Sequence, residues 1–173
     1  MSEIYLIRHG QASFGAENYD QLSEVGERQA EVLARFLETQ AIGFDAIYTG
    51  SLMRQQDTAG PFCRRQEMVP RRLPALNEYD HTAIITARMR RAEKKGAPSA
   101  NLGERLRTDM KAFQAWFDET VTRWMAGTYD DEPGVEPWPA FCSRVETGMR
   151  QIMAEQGRGR RLAVFTSGGP ISV

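Results

Sequence analysis

Arg8-His9-Gly10 places a guanidinium, an imidazole and a bare stretch of backbone in consecutive positions, directly after the apolar run Ile4-Tyr5-Leu6-Ile7. Arginine stays charged and grips a phosphate through parallel N–H bonds. An imidazole kept neutral can attack phosphorus with its free ring nitrogen. A second cation, Arg54, falls one turn into a segment that opens with Gly50-Ser51, and a helix N-terminus with an arginine beside it is an anion site. A third element is Ser167-Gly168-Gly169, whose N–H groups can form a nest for an oxyanion. Each also has an ordinary explanation. Arg8 could pair with a surface carboxylate, Arg54 could be an exposed helical residue, and Ser-Gly-Gly is commonly a turn. Their joint placement after strand candidates points to a phosphate-handling site centred on Arg8 and His9.

The elements that must position these residues alternate. Ile4–Ile7 reads as a strand buried on both faces, as in parallel sheets. Residues 8–20 are polar and contain Gly10 and Gly15, so they read as a loop. From Ser23 a helix follows, with Ala30, Leu33, Ala34 and Leu37 at helical spacing, Ser23 as N-cap, and Glu24 and Glu27 in the first turn. Phe44–Tyr48 is a second strand, followed by a helix to about Glu67. Arg71–Leu76 is a third strand, and Arg161–Thr166 a fourth. This order predicts an α/β fold, three-layer α/β/α with a mainly parallel central sheet. Ligands of such sheets bind at the C-terminal strand ends. Residues 79–136 carry no convincing strand. They are expected to form a helical cap insertion, broken at Gly96-Ala97-Pro98, with a longer helix over about Leu102–Met125. A helix from Pro139 or Ala140 to Gln156 returns to the fourth strand. Residues 170–173 read as the start of a further helix, so the natural C-terminus is expected to be missing from an otherwise single domain over 1–173.

A chain of 173 residues is long enough to bury a sizeable core without metal or disulfide support. The net charge of −1 offers no overall field for nucleic acid or a membrane surface. Cys63 and Cys142 are far apart and read as isolated thiols of a reducing compartment. With no h-region and no membrane-length apolar run, the expected location is the cytoplasm. Two histidines without HExxH or clustered acids make no metal set, and no cofactor is expected; no P-loop is present.

Four segments together resemble the histidine phosphatase superfamily, also called the phosphoglycerate mutase-like family. Tyr5-Leu6-Ile7-Arg8-His9-Gly10-Gln11-Ala12-Ser13 resembles its opening strand and Arg-His-Gly loop. Leu22-Ser23-Glu24-Val25-Gly26-Glu27-Arg28-Gln29-Ala30 resembles the start of its first helix. Ser51-Leu52-Met53-Arg54-Gln55-Gln56-Asp57-Thr58-Ala59 resembles its Ser-x-Leu-x-Arg-x-x-x-Thr-Ala segment, and Leu76-Asn77-Glu78 its Leu-x-Glu. The resemblance implies that His9 is the nucleophile, that Arg8 and Arg54 bind phosphate, and that Glu78 is the proton donor, held protonated as a phosphate dianion raises its pKa. The departure is at Phe165-Thr166-Ser167-Gly168-Gly169, where Ser167 stands in place of the family's second His. The other histidine, His81, follows Glu78 closely and is not taken as its replacement. Ser167 retains one neutral donor, and losing a donor of this kind costs about 10²–10³ in rate. A slow enzyme is therefore expected, and Ser167→His is expected to accelerate it.

Weaker candidates for phosphate or substrate contact are Gln11, Ser13, Phe14, Gly15 and Gly168. The basic run Arg88, Arg90, Arg91, Lys94 and Lys95 could attract a polyanion, though a solvated helix face explains it equally simply. Trp116, Phe117 and Trp124 read as core. The leading function is a metal-independent phosphomonoesterase with a phosphohistidine intermediate and a small phosphorylated substrate. The alternatives are a phosphate-binding protein without turnover and a phosphoglycerate mutase-type transferase. No nucleic-acid or membrane partner is expected, and a homodimer is left open.

Overall fold

The computed structural model describes residues 2–13, 20–96 and 109–173. Four parallel strands are found among them, β1 (Glu3–Arg8), β2 (Ala46–Thr49), β3 (Arg71–Arg72) and β4 (Arg161–Thr166), in the order β1-β4-β2-β3. The helices are α1 (Glu24–Thr39), α2 (Met53–Arg65), α3 (His81–Lys94), α4 (Met110–Met125), α5 (Trp138–Gln156) and α6 (Gly168–Ser172), with a 3₁₀ turn at Pro74–Leu76. They group into two compact units, Met1–Glu78 with Ser143–Val173, and Tyr79–Cys142.

Strand pleating divides the core of the first unit. Ile47, Ala163 and Phe165, with Tyr5 and Ile7, face Ala34 and Leu37 of α1 and Ala59, Phe62 and Cys63 of α2. Ala46, Tyr48, Leu162 and Val164, with Ile4, face the other way, onto Ile152 and Met149 of α5. Successive side chains leave a strand on opposite faces, so these two clusters establish the α/β/α layering. Complete burial of a residue such as Phe62 or Ile47 contributes about 1.5–3 kcal/mol.

Two strand expectations change. β1 is not buried on both faces. Among the described residues it pairs with β4 alone, at one end of the strand order, and Leu6 is 44% exposed. An apolar run cannot distinguish an edge from a centre. The third strand is only Arg71–Arg72, because Leu73 leads into the Pro74–Leu76 turn; Pro74 has no N–H to extend a ladder. The helix expected over Leu102–Met125 is described from Met110, and the break at Gly96-Ala97-Pro98 and residues 102–108 lie partly or wholly outside the described residues.

In the second unit, Trp124 is buried among Tyr79, Trp138 and Phe141, with ring centroids 4.6, 5.2 and 5.6 Å away. Its indole N–H donates to the Glu136 carbonyl at 2.7 Å. The basic run on α3 meets acids from elsewhere in the unit. Arg88 pairs with Glu119 at 2.6 Å, and Arg91 with Glu132 at 2.8 Å and with Asp131. Arg88 also lies 4.5 Å over the Trp116 ring. Two of the five positive charges in this run, Arg88 and Arg91, are therefore neutralised locally.

Candidate active site

Parallel register brings the informative residues to one end of the sheet. Arg8 aligns with Thr166, and Thr49 with Phe165. His9, Gly50 and Ser167 thus each stand one residue past a strand end, with the His9 N–H donating to Thr166 O at 2.9 Å and Gly50 N–H to Phe165 O at 3.4 Å.

The loop after β1 is held by close backbone approach. A Cβ on Gly10 would stand 2.6 Å from the Gly26 carbonyl, and one on Gly26 would stand 2.1 Å from Gln11 O. Only glycine fits either position. Gly10 N–H donates to Thr58 Oγ1 at 3.0 Å, and Thr58 in turn donates to Arg54 O at 2.6 Å. This hydroxyl ties the nucleophile loop to α2.

His9 is half-buried, and its Nδ1 lies 2.7 Å from Gly10 O. A carbonyl only accepts, so Nδ1 carries the proton and Nε2 bears the lone pair. Arg54 Nε–H donates to that Nε2 at 3.2 Å. Burial, then the nearby Arg54 and Arg8 guanidiniums, push the His9 pKa below its ordinary value of 6.5, against the opposing Gly10 hydrogen bond and Asp20 charge. The imidazole is therefore neutral at pH 7, with one nitrogen directed among cations.

Arg54 is 6% exposed. Asp20 orients it, with Oδ1 2.7 Å from Arg54 Nη1 and Oδ2 accepting from Met53 N–H at 2.8 Å. One carboxylate thus serves the first N–H of α2 and the buried guanidinium. Arg8 is exposed and makes no ion pair among the described residues. Its Nε and Glu78 Oε2 converge on Gly168, each 3.9 Å from where a Cβ there would sit. Gly169 N–H donates to Glu78 Oε2 at 3.0 Å.

The Leu76–Glu78 segment is fixed by its own backbone. Leu76 O accepts from Thr166 Oγ1 at 2.6 Å and from Gln55 Nε2 at 3.2 Å, while Arg144 Nη1 donates to Ala75 O at 2.9 Å and Asn77 O at 3.1 Å. Asn77 receives the Ser51 N–H at 2.7 Å and donates to Ser51 Oγ at 2.7 Å.

Ser167 is completely buried, and its Oγ accepts from Gln55 Nε2 at 2.8 Å. Gln11 and Ser13, expected at the anion, are engaged elsewhere. Gln11 Oε1 accepts from Ser23 Oγ at 2.8 Å, and Ser13 Oγ donates to Leu22 O at 3.0 Å. Both hold the loop to the start of α1. Phe14 and Gly15 lie outside the described residues. The sequence reading missed Asp20, Gln55 and Thr58. Asp20 carried one available signal, an acid in a polar loop ahead of a capped helix.

Among the described residues no group of three or more His, Cys, Asp or Glu is placed to hold a metal, and no helix is long and apolar enough to cross a membrane. The arrangement can bind an anion between Arg8 and Arg54 and present to it a nucleophilic nitrogen and a carboxyl group.

Comparison with known proteins bears on the family and the fold. A family model described as "Histidine phosphatase superfamily (branch 1)" matches residues 4–173. A curated relative, the 2,3-bisphosphoglycerate-dependent phosphoglycerate mutase of Methylocella silvestris, is 25% identical over 94% of this chain and 79% of its own. The crystal structure of phosphoglycerate mutase from Bacillus anthracis superposes with a TM-score of 0.64 at 20% identity, covering 98% of this chain and 76% of that one. The alpha-ribazole phosphatase from Shigella flexneri gives 0.60 at 19% identity, covering 98% and 75%. At such identities the two structures establish the shared fold.

Proposed function

Since the chain belongs to the histidine phosphatase superfamily, we propose that it hydrolyses small phosphomonoesters through a phosphohistidine formed on His9. The observation that carries this reading is the state of the imidazole. The Nδ1 proton is pinned to Gly10 O at 2.7 Å, the unprotonated Nε2 accepts from Arg54 Nε–H at 3.2 Å, and the pKa is lowered by burial and by the two arginines.

In the first step the Nε2 lone pair attacks phosphorus. The P–O ester bond breaks, and the departing alkoxide takes the proton of the Glu78 carboxyl group. Arg8 and Arg54 offset the charge on the equatorial oxygens. In the second step water attacks the phosphohistidine and gives its proton to the Glu78 carboxylate. The P–N bond breaks, and orthophosphate and neutral His9 are released. Glu78 begins the next cycle protonated. Ser167 stands where the family's second imidazole is expected, but its hydroxyl is completely buried against Gln55, so that cationic donor is missing and turnover is correspondingly slow.

The second reading is a phosphate binder without turnover, and the burial of Ser167 behind Gln55 favours it. A mutase reading rests on the names of the curated relatives. Release of orthophosphate from a panel of aryl, sugar and carboxylate phosphomonoesters separates the three. Catalytic release that His9→Ala abolishes supports the hydrolase. Saturable binding without release supports the binder, and transfer within a phosphoglycerate supports the mutase.

A further inference from the structure

Gln55 follows the phosphate-site arginine directly, yet it points into the protein and is completely buried. Its amide is wedged among three separate segments. Nε2 donates to Leu76 O at 3.2 Å and to Ser167 Oγ at 2.8 Å. Leu76 O can only accept, so the amide nitrogen must face it and the orientation is unambiguous. The other end of the amide packs on Gly50, where a Cβ would stand 1.9 Å from Gln55 Oε1 and 2.6 Å from Asn77 Oδ1. That Oε1 is buried with no hydrogen-bond partner. Native proteins seldom leave a buried acceptor unsatisfied, so the two N–H bonds and the space the side chain fills, not its carbonyl oxygen, account for this placement.

We propose that Gln55 fits this site to a serine at position 167, occupying the space a larger residue there would need and holding the Glu78 segment through Leu76 O. Gln55 is thus a positioning residue, and positions 55 and 167 act as one unit. The proposal rests on the phosphatase reading above for its kinetic part only. An imidazole introduced at 167 meets the Gln55 amide at a place where neither residue has exposed surface. Interiors are close-packed, and an added ring must displace a neighbour. Ser167→His alone therefore does not restore a working donor, contrary to what the sequence alone suggests. With Gln55→Ala, room for the ring is created.

The test is a four-member set: wild type, S167H, Q55A and Q55A/S167H. kcat and KM on p-nitrophenyl phosphate, the pH–rate profile, and the urea midpoint are measured for each. The expected result is no gain in kcat for S167H, and a gain of about 10²-fold for Q55A/S167H over Q55A, with a new ionisation in its pH profile from the added imidazole. In urea, S167H lowers the midpoint far more when Gln55 is present than when it is alanine. An equal gain in kcat for S167H in both backgrounds would overturn the proposal, and so would additive urea shifts. If the wild type hydrolyses nothing, the phosphatase reading falls, and the urea cycle still decides whether the two positions are coupled.

Discussion

Asp20→Asn isolates the charge that steadies the buried guanidinium. The carboxylate bridges Arg54 Nη1 at 2.7 Å and Met53 N–H at 2.8 Å, and its own side chain is 29% exposed while that of Arg54 is 7% exposed. Breaking a fully buried ion pair costs about 3–5 kcal/mol, and an exposed pair contributes about 0–1 kcal/mol. The asymmetric exposure and the acceptor oxygen retained by Asn place this change between them, at about 1–2 kcal/mol. In a domain of this size that is roughly 2–8 °C in Tm. The same change has a signed effect on the nucleophile. Asp20 opposes the lowering of the His9 pKa, so removing its charge lowers that pKa further. The acid limb of kcat/KM, which reports the free enzyme, moves to lower pH. The assay is a pH–rate profile on p-nitrophenyl phosphate together with thermal unfolding. An acid limb that stays in place or moves to higher pH refutes the argument that Asp20 acts electrostatically on His9.

Other expectations concern the loop and its titration. Thr58→Val removes the acceptor of the Gly10 N–H and leaves a buried donor unsatisfied, so unfolding free energy falls by about 1–3 kcal/mol in urea titration. Gly26→Ala drives a Cβ to 2.1 Å from the Gln11 carbonyl; because that atom is backbone, the nucleophile loop shifts, and both Tm and kcat decline while Ala at exposed Gly43 leaves kcat unchanged. In the wild type the acid limb of kcat/KM lies below pH 6.5, the ordinary value from which His9 is lowered. The linked stability has the same sign: as pH falls through 6.5 the unfolded His9 takes up a proton and the folded one does not, so stability declines until pH passes the folded value. His9→Gln removes this component, which urea titrations at several pH values measure.

Much of this fold follows from local pattern. The 161–166 strand has the expected bounds, and Ser23 caps α1 through Gly26 N–H at 3.1 Å, because apolar periodicity and capping are written in neighbouring residues. The placement of Arg8, His9 and Arg54 after strand ends followed from the alternation of strands and helices, whereas Glu78 was indicated only by the family resemblance. What was not legible depends on contacts between distant segments. Ser167 and Gln55 are 112 residues apart in sequence, and nothing near either one announces the other. Asp20 gains its meaning only when the loop is folded against α2. Gln11 and Ser13 sit beside the nucleophile in sequence, and the Gly10–Gly26 approach turns their polar groups to α1. The place of β1 at one end of the described strands is decided by strand pairing, which composition does not encode.

The central claim is that His9 Nε2 becomes covalently phosphorylated. Rapid quenching of the protein with a ³²P-labelled phosphomonoester, at neutral and at acid pH, tests it directly. The account predicts an acid-labile, base-stable label that maps by mass spectrometry to the peptide containing His9 and is absent from His9→Ala. Turnover without any such label, or a label that persists in His9→Ala, would contradict it.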